Sequence, residues 1–345
     1  MYEIRNTERN NQTASEYETK ALLHVLVTDK ANDDLALFFV DCFNDVTGAS
    51  NTCDTLWDVQ SKGVKSLRPR TIGEALITLL LNYQSELTFC QSLLFIPKLN
   101  DGYLINEDVY QFDINNFNNE RRNVLKQGLV DEYLRRKQLE KLPLSVEAKI
   151  DEFLLEVLFV VALPEGGDYV RDIVEFRDKE LKSPDLYREI FKEIRDKQTV
   201  LKNINIEGAR CEHASEILEY EKHIKKDDIS ILVVSRLIGI DLFDHRRIPI
   251  GYINELRGLD EDEHRDVLQH NNACLAKALF NKNNKQAFWR LLERIIVHVK
   301  GNPEASSREV FDRLPRHFIT QVDPIDETST VFFISLIKEG LNNEN

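Results

Sequence analysis

The chain is poor in the residues that mark several common protein classes. It contains 5 cysteines, 13 glycines, 9 prolines and a single methionine in 345 residues. The cysteines are odd in number and widely spaced, with no C-x-x-C pair, so neither a disulfide framework nor a thiolate zinc site is indicated. The low glycine and proline content, together with 42% hydrophobic residues, is typical of a globular protein rather than a fibrous or disordered one.

Long apolar runs are also missing. No stretch reaches the roughly 18 uninterrupted apolar residues of a membrane span, and the first residues lack the apolar stretch of a signal peptide. The two best apolar segments, 153–163 and 229–243, are interrupted by charged residues and are expected to be core elements. With cysteines that suit a reducing compartment, we predict a cytoplasmic protein with no membrane partner.

Three common catalytic signatures are absent, and positive charge is in deficit. There is no G-x-x-x-x-G-K-[ST] loop, no G-x-G-x-x-G after a strand and no G-x-S-x-G elbow. The 59 acidic residues outnumber the 45 basic ones, and the formal charge of -14 repels phosphate backbones at long range. Any nucleic-acid binding must therefore be local or assisted by a partner, and any energy coupling would need another subunit.

Hydrophobic periodicity predicts an α/β arrangement in the first third of the chain. The predicted elements are, in chain order, a helix at 15–28, strands at 35–43 and 55–62, a helix at 72–86 and a strand at 91–99. Residues 44–54 are predicted to be a loop because they are rich in Gly, Ser, Thr and Asn. Beyond the Asn-rich stretch 115–119 the pattern is mainly helical, which divides the chain into domains 1–115 and 116–345.

Polar side chains share one face of the second predicted strand. Because strand side chains alternate, Asp58, Gln60 and Lys62 project from the same face. The upstream carboxylate of Asp34 and the side-chain oxygen of Gln60 would coordinate a hard cation such as Mg²⁺ or Mn²⁺, which prefers oxygen ligands. Lys62 would orient or help to deprotonate an attacking water and stabilise the charge that grows on a phosphate.

This layout resembles that of the PD-(D/E)xK nuclease superfamily. The resemblance rests on an acid on the first helix, on Asp33-Asp34-Leu35 and on Val59-Gln60-Ser61-Lys62-Gly63, and it covers about residues 15–100. The Gln-x-Lys variant is similar to the double-stranded-DNA endonuclease domain of effectors in bacterial anti-phage defence. These include CBASS effectors and nucleases that pair with HerA-type ATPases.

The resemblance implies a restriction-endonuclease-like N-terminal domain and a role for each matching residue. Asp34 corresponds to the metal-binding acid, Gln60 to the second ligand position, Lys62 to the catalytic lysine, and Glu18 to the acid of the first helix, with Glu16 as the other possible register. It further implies a Mg²⁺- or Mn²⁺-dependent endonuclease that cuts double-stranded DNA in antiviral defence. The helical region would then serve for homo-oligomerisation or for docking to an ATPase or another defence-system partner.

A basic segment follows the tripeptide. No acid occurs between Asp58 and Glu74, and we predict that three basic residues of this segment contact DNA phosphates, namely Lys65, Arg68 and Arg70. A loop that only increases solubility is the alternative. Other basic groups are interpreted as solvated helix faces, at Arg121-Arg122, Arg135-Arg136-Lys137 and Lys222 with Lys225 and Lys226.

Other interpretations of the same residues remain open. A half-exposed strand of any antiparallel sheet also displays polar residues on one face, with Asp58 as a solvated flanking charge. Asp41 and Asp45 are rival metal ligands, although Asp41 also fits a structural place in its strand. His270-Asn271-Asn272 is faintly similar to a His-Asn-His site but lacks its hairpin. Outside the enzyme class, the chain would be an inactive nuclease fold that binds DNA or a partner, or an interaction scaffold.

Overall fold

The computed structural model describes residues 1–4, 12–28, 34–64, 66–244 and 247–343. The chain forms two compact units. The first unit comprises Met1–Tyr169 and Phe191–Lys226, and the second comprises Val170–Ile190 and Asp227–Asn345. The first unit therefore extends well past residue 115, where the sequence pattern placed the end of the N-terminal domain.

Mixed α/β structure makes up the first unit, in agreement with the predicted fold class. The strands are β1 (Tyr2–Glu3), β2 (Leu35–Val40), β3 (Val46–Ser50), β4 (Leu56–Ser61), β5 (Phe89–Ile96), β6 (Gln111–Phe112), β7 (Leu158–Val161), β8 (Arg210–Cys211) and β9 (His223–Lys225). The helices up to residue 202 are α1 (Gln12–Thr28), α2 (Pro69–Ala75), α3 (Ile77–Tyr83), α4 (Asn119–Lys137), α5 (Leu144–Glu156), α6 (Gly166–Val174) and α7 (Pro184–Lys202). Residues 170–174 of α6 and 184–190 of α7 belong to the second unit.

Seven strands form the main sheet, in the order β6-β7-β5-β4-β3-β2-β9. Strands β2, β3 and β4 form an antiparallel meander, and β4 then pairs in parallel with β5 after the crossover through α2 and α3. Strand β7 continues the parallel part, while β6 and β9 add antiparallel edges. The carboxyl ends of β2 and β4 consequently lie at the same end of the sheet, where the turn between β2 and β3 also lies.

Strand β3 lies in the segment that was predicted to be a loop, and that prediction was wrong. All five residues of β3 are buried, and Gly48 pairs with Phe38 on one side and Trp57 on the other. A Cβ atom at Gly48 would come within 2.8 Å of Leu35 Cδ1 and 3.3 Å of Trp57 Cβ. The glycine that suggested a turn is therefore required by close packing inside a central strand.

Helix α1 packs a buried imidazole onto the sheet, beside the ring of Phe95. Burial lowers the pKa of His24 to about 4, from an ordinary value of 6.5. Between these two pH values the unfolded chain binds the proton and the folded chain does not, so stability falls as the pH drops from about 6.5 towards 4. This histidine makes the fold acid-sensitive.

His24→Leu is expected to weaken that acid sensitivity. Wild type should lose about 2 kcal/mol of unfolding free energy through this group between pH 7 and pH 5, and the variant should not show that part of the loss. Urea denaturation at both pH values measures the difference. An identical loss in the two proteins would show that His24 does not titrate in this way.

Helices form the second unit. Besides residues 170–190, it contains α8 (Lys226–Ile238), α9 (Glu261–Phe280), α10 (Lys285–Gly301), α11 (Ser307–Arg313), α12 (Arg316–Thr320) and α13 (Glu327–Asn343). The first residue of α8, Lys226, belongs to the first unit. The segments 229–240 and 328–338, which the sequence left open between strand and helix, are mainly helical. In the described part of the chain, no helix combines the length and the apolar character needed to cross a membrane.

Candidate functional site

A cavity of about 260 Å³ opens where the turn between β2 and β3 meets the carboxyl end of β4. Residues 41–45 of the turn line it, together with residues of α2 and α3 and one side chain of α4. Gln60 and Lys62 line it as well. Two residues of the sequence-predicted tripeptide therefore line a cavity at the end of the strand, as expected from their shared face.

The carboxylate that the structure brings to this tripeptide is Asp45. Its Oδ2 atom accepts hydrogen bonds from Gln60 Nε2 at 2.7 Å, from the Ser61 backbone N at 2.7 Å and from Ser61 Oγ at 2.9 Å. Asp45 directly precedes β3, whose first residue, Val46, pairs with Val59 of β4. The antiparallel register thus fixes Asp45 beside the last residues of β4.

Asp34, the acid chosen from the sequence, is not part of this group. It is exposed and precedes Leu35, which pairs with Ser50 at the other end of β3. At about 3.3 Å per residue, the length of β2 separates Asp34 from the cavity by roughly 20 Å. Asp33, its neighbour in the acidic pair, lies outside the described residues. Asp45, a rival ligand in the sequence, holds the position that Asp34 was expected to hold.

The turn that carries Asp45 is attached to β4 through a buried carboxyl group. Asp58 accepts hydrogen bonds from Asn44 Nδ2 at 3.0 Å and from Asn82 Nδ2 at 2.8 Å, and Asn82 also donates to the backbone oxygen of Phe43 at 3.1 Å. Tyr2 in turn donates its hydroxyl to Asn82 Oδ1 at 2.7 Å. The network joins both sides of the turn to α3 and fixes where Asp45 stands.

Asp58 is thus a structural residue and not the solvated flanking charge that the strand pattern suggested. Its side chain is fully buried, and this burial raises the pKa of Asp58 to about 8 although both amide donors favour the ionised form. The amides explain why a carboxyl group is tolerated here, because each oxygen has a donor.

Lys62 continues β4 beyond its last residue and is half-buried at the cavity. Its backbone N donates to Phe95 O of β5 at 2.8 Å, so the parallel β4–β5 pairing holds its main chain in register. The ammonium group is carried on the same strand face as Gln60, two residues away. This places a cation and an amide beside the Asp45 carboxylate in one cavity.

Glu18 lies behind this group and does not line the cavity. Its side chain is buried, and both carboxylate oxygens are bound by Lys202 Nζ, at 2.7 and 2.8 Å. Burial and the negative charge of Asp45 raise the pKa of Glu18 to about 7, against the opposing effect of Lys202. Glu16, the other register considered, pairs instead with Lys20. Glu18 therefore acts on Asp45 electrostatically and is paired with a lysine from α7.

Two further acids lie in or near the cavity, and each has a cationic neighbour. Asp41 lines the cavity wall in a left-handed backbone conformation, and its Oδ2 lies 3.6 Å from Nζ of Lys222. Lys222 is fully buried, so its predicted place on a solvated helix face was wrong. Glu74 also lines the cavity and pairs with Arg70 at 3.3 Å.

In the described part of the basic segment after β4, one of the predicted arginines is paired with acids and one is not. Arg70 bridges Glu74 at 3.3 Å and Asp131 at 2.7 Å, although its side chain is more than half exposed. Arg68 is exposed and stands at the N-cap of α2. Lys65 lies outside the described residues. Of the two predicted phosphate contacts that the structure describes, Arg70 has ion-pair partners and Arg68 has none.

The donor set suits a hard cation held by few protein ligands. Within the described residues, no group of three His, Cys, Asp or Glu side chains has metal-site geometry. The cavity offers a carboxylate, from Asp45, beside the amide of Gln60, with Asp41 on the same wall. Mg²⁺ commonly binds through one or two carboxylates and keeps several waters or substrate oxygens, so these residues fit it better than a fully protein-enclosed ion.

The histidine-containing segment of the second unit gives no comparable site. His270 Nε2 lies 2.7 Å from Asp326 Oδ2 and 3.6 Å from Cys274 Sγ, so one ring nitrogen serves both contacts. A nucleophile–histidine–acid relay needs the thiol and the acid on different nitrogens. Burial also raises the pKa of Cys274, which disfavours the thiolate. The segment is helical, as its periodicity predicted, and carries no His-Asn-His hairpin.

Comparisons of the chain with known protein families, with characterised proteins and with solved structures find no match.

Proposed function

We propose that the first unit is a metal-dependent endonuclease of the PD-(D/E)xK type that hydrolyses double-stranded DNA. The observation that carries this proposal is the hydrogen bond from Gln60 Nε2 to Asp45 Oδ2, at 2.7 Å, in the cavity that Lys62 also lines. The topology of the first unit supports the proposal. A helix is followed by an antiparallel three-stranded meander, a crossover through helices and a parallel strand, and this order puts the three residues at one end of the sheet.

Each of the three residues has a separate task in this proposal. Asp45 and Gln60 would hold Mg²⁺ or Mn²⁺, which supplies Lewis acidity at the phosphate and a more acidic bound water. For Gln60 to offer its oxygen, the amide must turn from the orientation in which it donates to Asp45. Lys62 stabilises the negative charge that grows on the phosphate and orients the attacking water.

Charge explains why a cation would be needed before DNA can enter. Among the described residues, the cavity is lined by three acids, Asp41, Asp45 and Glu74, and two bases, Lys62 and Arg136. The whole chain adds repulsion, with a formal charge of -14. A divalent ion at Asp45 reverses the local sign, so phosphate binding and metal binding are expected to be cooperative.

The proposal extends to the setting in which such a nuclease works. By its resemblance to anti-phage effector nucleases, the chain would act in bacterial antiviral defence, in the cytoplasm, within a homo-oligomer or with an ATPase partner. An acidic protein that must approach DNA gains most from a partner that presents the duplex. Size measurement with and without the products of neighbouring genes tests this extension separately from catalysis.

Incubation of the purified chain with supercoiled plasmid tests the proposed activity. Nicking or linearisation is expected with Mg²⁺ or Mn²⁺ and none with EDTA. The assay should be repeated with co-expressed neighbours, since a defence nuclease can require activation. Cleavage that persists in EDTA, or no cleavage under any of these conditions, would contradict the proposed activity.

A nuclease fold that only binds DNA or a partner is the second candidate. It is favoured by the neutral Gln60 at a ligand position and by the pairing of Glu18, the acid expected from the first helix, with Lys202. Duplex binding that is retained without cleavage, and that does not change when EDTA replaces Mg²⁺, would support this candidate. An interaction scaffold would show neither cleavage nor binding.

A further inference from the structure

Helices α2 and α4 pack closely because each has a glycine that faces the backbone of the other helix. A Cβ atom at Gly73 would lie 2.0 Å from Leu125 O, and one at Gly128 would lie 2.3 Å from Arg70 O. No side chain fits at either position without separating the two helices. The last turn of α4 is thereby fixed in relation to α2, which forms a wall of the cavity.

This packing brings one arginine of α4 to the cavity that holds Asp45, Gln60 and Lys62. Arg136 is a lining residue, and its side chain is 35% exposed. Its Nε donates to Glu132 Oε1 at 3.0 Å, which orients the guanidinium from the preceding turn. Within the described residues, its two terminal nitrogens have no hydrogen-bond partner.

We propose that Arg136 is a substrate-binding residue that binds a phosphate of the DNA backbone in this cavity. The inference rests on the proposed nuclease function. A guanidinium presents paired N–H donors that match two phosphate oxygens, and phosphate contacts position a duplex without reading its sequence. Among the described residues, Lys62 and Arg136 are the basic ones that line the cavity, and they come from different parts of the fold, so a DNA backbone can contact both.

A purely structural role explains the geometry less well. The pair between Arg136 and Glu132 is partly exposed, and such helical pairs contribute little to stability. Glu132 has a second partner, because Arg135 binds it through Nε and a terminal nitrogen, both at 2.7 Å. Glu132 would remain neutralised without Arg136, so the fold does not need this side chain. The solvated helix face predicted for residues 135–137 is confirmed, because all three are exposed, and Arg136 is the one among them that also lines the cavity.

The test compares Arg136→Gln with its neighbour Arg135→Gln, which removes an equal charge and a bond to the same carboxylate. Affinity for a short duplex is measured with Ca²⁺ at several salt concentrations, and KM and kcat are measured on plasmid with Mg²⁺. Arg136→Gln should weaken binding about 10- to 100-fold, as expected for the loss of a charge-assisted hydrogen bond. The slope of log affinity against log salt should fall by about one unit, as for the loss of one phosphate contact.

Arg135→Gln should stay within about twofold of wild type in affinity, and Arg136→Lys should keep the salt slope while losing part of the affinity. Equal effects of Arg135→Gln and Arg136→Gln, or none from either, would overturn the role of Arg136. Thermal unfolding of each variant checks that the fold is kept. If wild type cuts DNA and Arg136→Gln binds it equally well, only this inference fails. If wild type neither binds nor cuts, the proposed function fails with it.

Discussion

Asp45→Asn is expected to lower the rate of metal-dependent DNA cleavage by about 10³-fold or more. The variant keeps the size and an oxygen acceptor for the Ser61 backbone N, but it removes the charge that would hold the divalent ion. Initial rates of plasmid cleavage in Mg²⁺ measure the loss. A second readout is the rise in unfolding temperature on addition of Mn²⁺, which should be seen in wild type and be absent in Asp45→Asn.

Asp34→Asn is the matched control for that loss. The same chemical change is made on an exposed aspartate in the same meander, at the opposite end of β2. Its cleavage rate should stay within about twofold of wild type, because an exposed substitution of this kind has little effect on structure. Loss of cleavage in Asp34→Asn with activity retained in Asp45→Asn would reverse the assignment made from the strand register.

Lys62→Ala is expected to reduce kcat by about 10²- to 10⁴-fold, the range for removal of one electrostatic or acid–base group. The Mn²⁺-dependent rise in unfolding temperature should change little, since Lys62 is not assigned to the metal. This separates it from Asp45→Asn, in which the metal response is also lost. The value of kcat and the Mn²⁺-dependent rise in unfolding temperature are measured on the same protein preparations.

Lys98→Ala is the control for Lys62→Ala. Lys98 is an exposed lysine that follows β5, and it does not line the cavity of Asp45. Its removal takes the same charge from the first unit, so a general electrostatic effect would appear in both variants. An equal loss of kcat in Lys98→Ala and Lys62→Ala would show that Lys62 acts only through the overall charge of the protein.

The sequence predicted Gln60 and Ser61 correctly as the end of a strand that Lys62 directly follows, but not the acid that meets them. The alternation of polar and apolar residues in β4 is a local signal, and it was sufficient to put Gln60 and Lys62 on one face. The choice between Asp34 and Asp45 depends on how β2 and β3 pair. That pairing was hidden because Gly48 and its polar neighbours looked like a loop, which left out the strand that Asp45 precedes.

Longer-range features had no local signal at all. Asp58 is buried and structural because Asn44, from a turn, and Asn82, from α3, donate hydrogen bonds to its carboxyl group. Glu18 became paired with a lysine 184 residues further along the chain. Neither partnership can be deduced from spacing, because both depend on the tertiary fold.

Arg136 was missed for a related reason. Its neighbours Arg135 and Lys137 are consistent with a solvated face, and composition cannot distinguish one helical arginine from the next. The difference lies in the α2–α4 contact at Gly73 and Gly128, which decides which residue of the last turn meets the cavity. Both glycines are visible in the sequence, but the close approach of each to the backbone of the other helix is not.

Anomalous scattering from Mn²⁺ in crystals of the wild-type protein tests the central claim most directly. We expect one strong peak in the cavity at the carboxyl end of β4, with an oxygen of Asp45 and the side-chain oxygen of Gln60 within roughly 2.0–2.3 Å of it. The Gln60 amide should have turned away from its present donation to Asp45. A fully loaded crystal with no peak at Asp45, or with its peak elsewhere on the protein, would contradict a catalytic metal site here.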